Sequence, residues 1–273
     1  MSIDRYAVIG HPIGHSRSPF IHARFAHQLS QAMDYSALDV PSAQLAQTVR
    51  GFFASGGKGL NVTVPHKIAA VALCDRLSAR AALAASVNTL LMVDGELFGD
   101  NTDGVGLVRD LARLHWPVRG GRVLLLGAGG AARGVLGPLL ELAPRSLHIA
   151  NRTVPRAAAL VDQFSDVAQT HGVTLQIAPA AGEYAVIING TAASIAGELP
   201  RLPDGALGTR SHCYDLAYGR GDTAFVRAAR AAGATAAMGT GMLVEQAAEA
   251  FFLWRGVRPD PAPVLAALER ELA

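Results

Sequence analysis

Midway along the chain the apolar run Val123-Leu124-Leu125-Leu126 stops at Gly127-Ala128-Gly129-Gly130-Ala131-Ala132-Arg133. A short branched apolar run is the pattern of a strand buried on both faces, and a glycine-rich turn followed by a helix is the entry to a βαβ unit. Glycines at such a turn let backbone N–H groups close on a pyrophosphate, and the helix N-terminus adds a favourable dipole. Gly127, Ala128, Gly129, Gly130 and Ala131 are therefore the expected pyrophosphate loop. The competing reading is an ordinary tight turn, because Gly-x-Gly-Gly departs from the full G-x-G-x-x-G.

The next apolar run, Leu147-His148-Ile149-Ala150, ends in Asn151-Arg152-Thr153. The end of the second strand is where an adenosine ribose is read, and an acid there would accept the 2′-hydroxyl of NAD. This chain has Arg152 instead, with Arg156 one helical turn on. Two cations suit a 2′-phosphate, so the expected cofactor is NADP(H). A solvated surface arginine is the alternative.

This unit does not start the chain. With 273 residues there is room for a second core, and the N-terminal segment is its natural place. That segment alternates strand-like and helix-like stretches. Strands are predicted at Tyr6–Ile9, Tyr35–Val40 and Gly59–Val64, and a hairpin at Asn88–Val93 and Glu96–Gly99. Helices are predicted from Ser18 to about Gln31, from Ala43 to Ala54, from Pro65 onward, and from Gly104 to His115. Ser18 reads as an N-cap with Pro19 at N1. Strands then recur at 122–126, 146–150, 174–177, 185–189, 212–216 and 235–238, with Leu199–Gly208 as loop, and the C-terminus is helical over Met242–Trp254 and Pro263–Leu272. The class is α/β, with the site in the cleft between two units.

Bulk properties narrow the partners. Half the residues are hydrophobic and 17% are charged, which excludes a disordered chain. The formal charge of +2 is spread out, with no Lys/Arg block of the kind that binds nucleic acid or a membrane surface. The N-terminus lacks a signal-peptide core and no apolar stretch is long enough to span a bilayer. Cys74 and Cys213 stand far apart, as in a reducing compartment. A cytoplasmic protein acting on a small molecule is expected. No metal is expected either. His11 and His15 flank Pro12 and Gly14 rather than sharing a helix face, and His22 and His27 are wrongly spaced for one.

Several residues could carry chemistry. Ser16 and Ser18 place hydroxyls at a helix start, where a carboxylate would bind, although Ser18 could be only a cap. Alternation over Asn61-Val62-Thr63-Val64 puts Asn61 and Thr63 on one strand face. Lys67, in the first turn of the helix expected after Pro65, sits badly with the helix dipole. A positive local potential would ease its deprotonation and suit it to proton transfer; a solvated lysine is the alternative. Asp103 is either an N-cap, a role Thr102 could share, or the carboxylate partner of Lys67. Asn88 and Gln246 are polar groups in otherwise apolar settings, so each needs a partner.

Taken together these segments resemble the shikimate dehydrogenase family. The likeness runs through Gly10–Pro19, Asn61–Lys67, Ser86–Thr89, Gly99–Gly104, Gly127–Ala131, Asn151–Thr153 and Gly239–Gln246. It implies a discontinuous α/β substrate domain, residues 1–103 and 240–273, around a Rossmann-type NADP-binding domain at 104–239. It also implies that Ser16 and Ser18 hold the substrate carboxylate, with Tyr218 helping from the cofactor side; Arg17 between them is expected to face solvent, because adjacent residues near a helix start point in different directions. Asn61, Thr63, Asn88 and Gln246 would contact the ring hydroxyls and the reacting oxygen, and Lys67 and Asp103 would be the catalytic pair. Asn151, Arg152, Thr153 and Arg156 match the 2′-phosphate clamp, and Gly239 and Met242 the nicotinamide wall. The implied reaction is the reversible NADPH-dependent reduction of 3-dehydroshikimate to shikimate, by a monomer or homodimer. A quinate/shikimate dehydrogenase, often NAD-linked, and a non-catalytic metabolite sensor are the other readings. Arg152 speaks against the first, and the presence of Lys67, Asp103 and the glycine loop against the second.

Overall fold

The computed structural model describes residues 3–178, 182–194 and 196–273. Met1 and Ser2, part of the N-terminal stretch read above, lie outside them. The first sheet begins with β1 (Asp4–Gly10), α1 (Ser18–Gln28), β2 (Met33–Asp39), α2 (Leu45–Ala54) and β3 (Gly59–Val62). β2 and β3 flank β1 in parallel, with Tyr6 level with Tyr35 on one side and Val8 level with Asn61 on the other. The chain thus winds to one side of β1 and then to the other. The loops leaving the carboxyl ends of β1 and β3 lie at this switch in the winding, the place where an open α/β sheet binds its ligand.

β4 (Arg76–Leu77), α3 (Ala79–Ala84) and the hairpin β5 (Thr89–Val93) and β6 (Glu96–Asp100) complete a six-stranded mixed sheet in the order β2-β1-β3-β5-β6-β4. Its core joins Ala7, Ile9, Leu60, Val62 and Leu90 to Leu45 and Val49 of α2. Ser78 caps α3, its hydroxyl accepting from the Ala81 N–H at 3.1 Å.

α4 (Asp103–Arg113) leads to the second sheet, which runs β7 (Arg122–Leu126), α5 (Gly130–Glu141), β8 (Ser146–Ala150), α6 (Val154–Gln163), α7 (Ser165–Thr170), β9 (Thr174–Ile177), β10 (Val186–Asn189), β11 (His212–Asp215), α8 (Ala224–Ala231) and β12 (Thr235–Met238). The strands are all parallel in the order β12-β11-β10-β7-β8-β9. This is the doubly wound dinucleotide-binding order, with its switch point between β7 and β10. Val123 to Leu126 are at most 1% exposed, as expected for a strand covered on both faces.

The last helices, α9 (Thr240–Arg255) and α10 (Pro261–Leu272), return to the first sheet. Val244, Phe251, Val264 and Leu268 pack there against Ile21 and Phe25 of α1. α4 lies along α9 almost backbone to backbone: a Cβ on Gly106 would stand 2.7 Å from the Met242 carbonyl oxygen and 2.8 Å from the Gln246 nitrogen. Among the described residues no helix is long and apolar enough to cross a membrane.

Two local expectations are corrected. No α-helix starts at Pro65; turns run through Lys67 and a short 3-10 helix follows at Ala69–Leu73. Neighbouring elements claim this segment's polar groups instead. The Val64 carbonyl accepts from the His11 N–H at 3.0 Å, the Lys67 carbonyl from the Val87 N–H at 2.8 Å, and the His66 ring donates to the Val40 carbonyl at 2.6 Å. The argument that put Lys67 in a helical first turn therefore falls. Second, Ser18 is not the N-cap of α1 but its first helical residue; Arg17 stands at the cap position and no side chain caps it. Ser16 supplies the local acceptor, its hydroxyl taking the Ser18 N–H at 3.3 Å.

Candidate active site

The switch point of the first sheet carries the polar residues singled out in the sequence. Lys67, beyond the end of β3, donates from Nζ to Oδ2 of Asp103 at 2.6 Å, with 14% of its side chain exposed and 4% of the aspartate's. Asp103 is placed by α4, of which it is the first residue, and Asn101 Oδ1 accepts its N–H at 3.1 Å. Its other oxygen accepts from Asn88 Nδ2 at 2.9 Å. An ammonium has three donors. One is used on Asp103, and no other protein acceptor of Lys67 occurs among the described residues.

Asn88 is a clamp with its polar capacity filled. Its Nδ2 also meets Thr102 Oγ1 at 2.9 Å and Gln246 Oε1 at 3.3 Å, while its Oδ1 accepts from the Thr102 N–H and the Thr89 hydroxyl, each at 2.8 Å. It ties the start of α4 to α9. Asn61 is similarly engaged. Its Nδ2 reaches the Asn88 carbonyl and Thr89 Oγ1, both at 3.2 Å, and its Oδ1 accepts from the Tyr35 hydroxyl at 2.6 Å. Thr63 stands just beyond β3, half-buried. Gln246, whose Nε2 donates to the Leu243 carbonyl at 2.8 Å, brings the C-terminal helix into the same cluster.

At the other end, Ser16 is half-buried and Ser18 is buried. Ser18 neighbours the Tyr35 phenol, which burial pushes well up while Ser18 pulls the other way. Tyr218, from the loop after β11, rests against Arg17 and packs on the buried cluster formed by α1, α9 and α10. Burial raises its phenol, with Arg17 acting in the opposite sense. Arg17 does not simply face solvent: it pairs with Glu271 of α10 at 2.7 Å. A carboxylate near the chain's end thus turns it aside.

The glycine loop meets this cluster directly. The Ser86 hydroxyl donates to the Gly130 carbonyl at 3.1 Å, and a Cβ on Gly130 would lie 3.1 Å from the Cβ of Lys67. Gly127 has φ +105°, and a Cβ there would come within 2.9 Å of the Gly190 carbonyl oxygen, so glycine is needed. The first N–H groups of α5 have no intrahelical acceptor, which leaves Gly129, Gly130 and Ala131 free to meet an anion. Beyond β8, Asn151 Nδ2 holds the Thr153 carbonyl at 2.8 Å. Arg152 and Arg156 are exposed and join no ion pair among the described residues. This cradle with two uncommitted cations fits a dinucleotide bearing an extra phosphate.

Gly239 stands at the cap of α9 and Met242 is buried in its first turn. The Met242 N–H donates to the Tyr214 hydroxyl at 3.2 Å, and that hydroxyl donates to the buried Asp110 at 2.5 Å. Tyr214, Tyr35 and Thr89 were all missed in the sequence. Each sits inside a regular strand, where alternation marks a face but not a hydrogen bond. Asp215 was missed too. Burial raises its carboxyl against the pull of Ser194 at 2.5 Å, Thr223 at 2.6 Å, the Ala217 N–H and Asn189. It knits the loops after β10 and β11 on the cleft side.

A buried lysine–carboxylate pair beside the glycine loop of a doubly wound sheet is the arrangement a nicotinamide-dependent dehydrogenase would use. Models of the shikimate dehydrogenase substrate binding domain, of shikimate / quinate 5-dehydrogenase and of the shikimate 5'-dehydrogenase C-terminal domain match residues 8–90, 110–196 and 239–269 respectively. The shikimate dehydrogenase (NADP(+)) of Alkalilimnicola ehrlichii is 56% identical over 98% of this chain and 99% of its own. That of Chromohalobacter salexigens is 51% identical over the whole of both chains. The crystal structure of the Thermus thermophilus shikimate 5-dehydrogenase, in complex with NADP(H) and shikimate, superposes with a TM-score of 0.87 at 36% identity, covering 98% of this chain and 99% of that one. The chain belongs to the shikimate dehydrogenase family.

Proposed function

We propose that the cleft carries out reversible reduction of 3-dehydroshikimate to shikimate with NADPH, and that each half of the chain supplies one partner. Residues 1–103 and 240–273 form the substrate domain and 104–239 the NADP-binding domain. The observation that carries this reading is the Lys67–Asp103 pair, 2.6 Å apart and backed by the glycine loop through Ser86 and Gly130. Among relatives matching nearly end to end, the one from Alkalilimnicola ehrlichii is an NADP(+)-dependent shikimate dehydrogenase.

Ser16 and Ser18, with Tyr218, hold the substrate carboxylate. Asn61, Thr63, Asn88 and Gln246 line the ring, and Asn88 does so mainly by fixing Thr102, Asp103 and Gln246. Gly127 to Ala131 receive the pyrophosphate, and Asn151, Arg152, Thr153 and Arg156 the 2′-phosphate. Gly239 and Met242 wall the nicotinamide. Bound NADPH supplies the hydride. Lys67 gives a proton to the alkoxide oxygen that develops at the ring carbonyl, and takes it back in the reverse direction. Asp103 accepts from the shikimate hydroxyl once that oxygen carries its proton, and holds the ammonium in place. The buried Cys213 and half-buried Cys74, both unpaired, support a reducing cytoplasm as the working compartment.

Initial-rate assays with shikimate and with quinate, each against NADP+ and NAD+, test the assignment. Shikimate with NADP+ is expected to give the highest kcat/KM. Equal turnover of quinate, or preference for NAD+, would move the chain to the broader quinate/shikimate branch.

A further inference from the structure

His22 faces inward from α1 and is fully buried. Among the described residues neither ring nitrogen meets a hydrogen-bond partner in regular geometry, although Asn61 lies close enough to act on the ring. Burial pushes the imidazole down to about 3, with Asn61 acting in the opposite sense, so the ring is neutral. It is not loosely placed. The Tyr35 ring lies parallel to it, 4.2 Å between centroids and 7° between planes. Phe251 of α9 lies on a similar plane at 16° and 6.2 Å, while Phe25 meets it edge-on at 6.1 Å. Trp254 closes the group at 5.4 Å.

One face of this stack ends at the candidate site. Tyr35 is the ring packed on His22, and its hydroxyl donates to Asn61 Oδ1 at 2.6 Å. Asn61 is joined through Thr89 and Asn88 to Asp103. Ser18 adjoins the same phenol. A parallel neighbour restricts the tilt of an aromatic ring, and tilt decides where a para hydroxyl points.

We propose that His22 is a positioning residue for substrate binding: its flat face fixes the Tyr35 ring, and Tyr35 in turn fixes Asn61 and the Ser18 end of the cleft. His22 works as a neutral aromatic plate. The inference rests on the reading of this cleft as the shikimate site.

Steady-state kinetics on the full-length enzyme test it. His22→Leu fills much of the space without a flat face, and His22→Phe keeps the face. Loss of one aromatic stacking partner corresponds to roughly a three- to tenfold change in an equilibrium. His22→Leu is therefore expected to raise the shikimate KM by about that factor, while kcat and the NADP+ KM stay within about twofold. His22→Phe is expected to recover most of the shikimate KM. Combined with Tyr35→Ala, His22→Leu should add nothing further, because its effect passes through that ring. Equal KM shifts for shikimate and NADP+ would show general loosening and overturn the proposal, as would additive effects in the double variant. So would a His22→Phe enzyme no better than His22→Leu. An unaltered enzyme without shikimate turnover would defeat the parent reading instead, whereas normal turnover with an unchanged His22→Leu KM defeats only this one.

Discussion

The two ends of the cleft are built on opposite plans. At the ring end, Asn61 and Asn88 are buried and have most of their donors and acceptors engaged by the protein. At the proposed adenosine end, Arg152 and Arg156 are exposed, with no carboxylate opposite them among the described residues. The first plan fixes geometry before the ligand arrives, which is what a reacting centre needs. The second keeps charge in reserve for a ligand that brings its own. Changes to the Lys67–Asp103 pair should therefore alter rates, and changes at the adenosine end should alter affinities.

The largest test of that contrast is Lys67→Ala. Turnover is expected to fall by about a hundred- to ten-thousandfold, the usual worth of a general acid/base, with a much smaller change in shikimate affinity measured by direct titration. A collapse of affinity with turnover preserved would make Lys67 a binding cation and erase the distinction. Next comes Arg152→Ala. One lost charge-assisted bond is worth about 1.5–3 kcal/mol, so NADPH affinity should drop by roughly ten- to a hundredfold, while NADH affinity stays near its original value. Fluorescence titration with both cofactors reads this directly, and equal losses would refute the clamp.

Gly127→Ala probes the joint between the two plans. The left-handed backbone and the nearby Gly190 carbonyl make the substitution cost on the order of 1–3 kcal/mol of stability. Thermal denaturation should show a lower midpoint, together with a raised NADP+ KM. The smallest effect belongs to the scaffold. Burial acts to raise the Asp100 carboxyl, but Arg80, Ser78 and the Asn101 N–H outweigh it and hold the group below its usual value. A depressed folded value means that the stabilisation is present above the unfolded value of about 4 and is lost as pH falls through the folded one. Melting temperature against pH should accordingly fall less steeply on the acid side in Asp100→Asn than in the unaltered enzyme.

Much of this was legible in the sequence because glycine, proline and apolar runs act locally. The strand into Gly127, the Asp94-Gly95 hairpin and the helix beginning beside Asp103 are set by neighbours within a few residues. The pairing of Lys67 with Asp103 stood in the sequence beside an N-cap and a solvated lysine, and only the resemblance singled it out. What stayed hidden was non-local. The segment after Pro65 had helical credentials but gave its polar groups to His11, Val87 and Val40, which no window around Pro65 contains. Tyr35 looked like any strand aromatic, and its bond to Asn61 spans 26 positions. Arg17 was turned by Glu271, 254 positions away.

The crossing of α4 and α9 at Gly106 has a mechanical side. The chain passes from the first sheet to the second along one of these helices and returns along the other, and the two touch at their main chains. Such a joint has little freedom to swing like a door on a slack strap. Contact this close leaves shear, a small sliding of one packed rod along the other, as the displacement that disturbs the joint least. Asp103 begins one rod and Gln246 rides on the other. A slide of even a fraction of a turn would thus change the spacing of Asp103 and Gln246, gearing access to the proposed cleft to the alignment of its side chains.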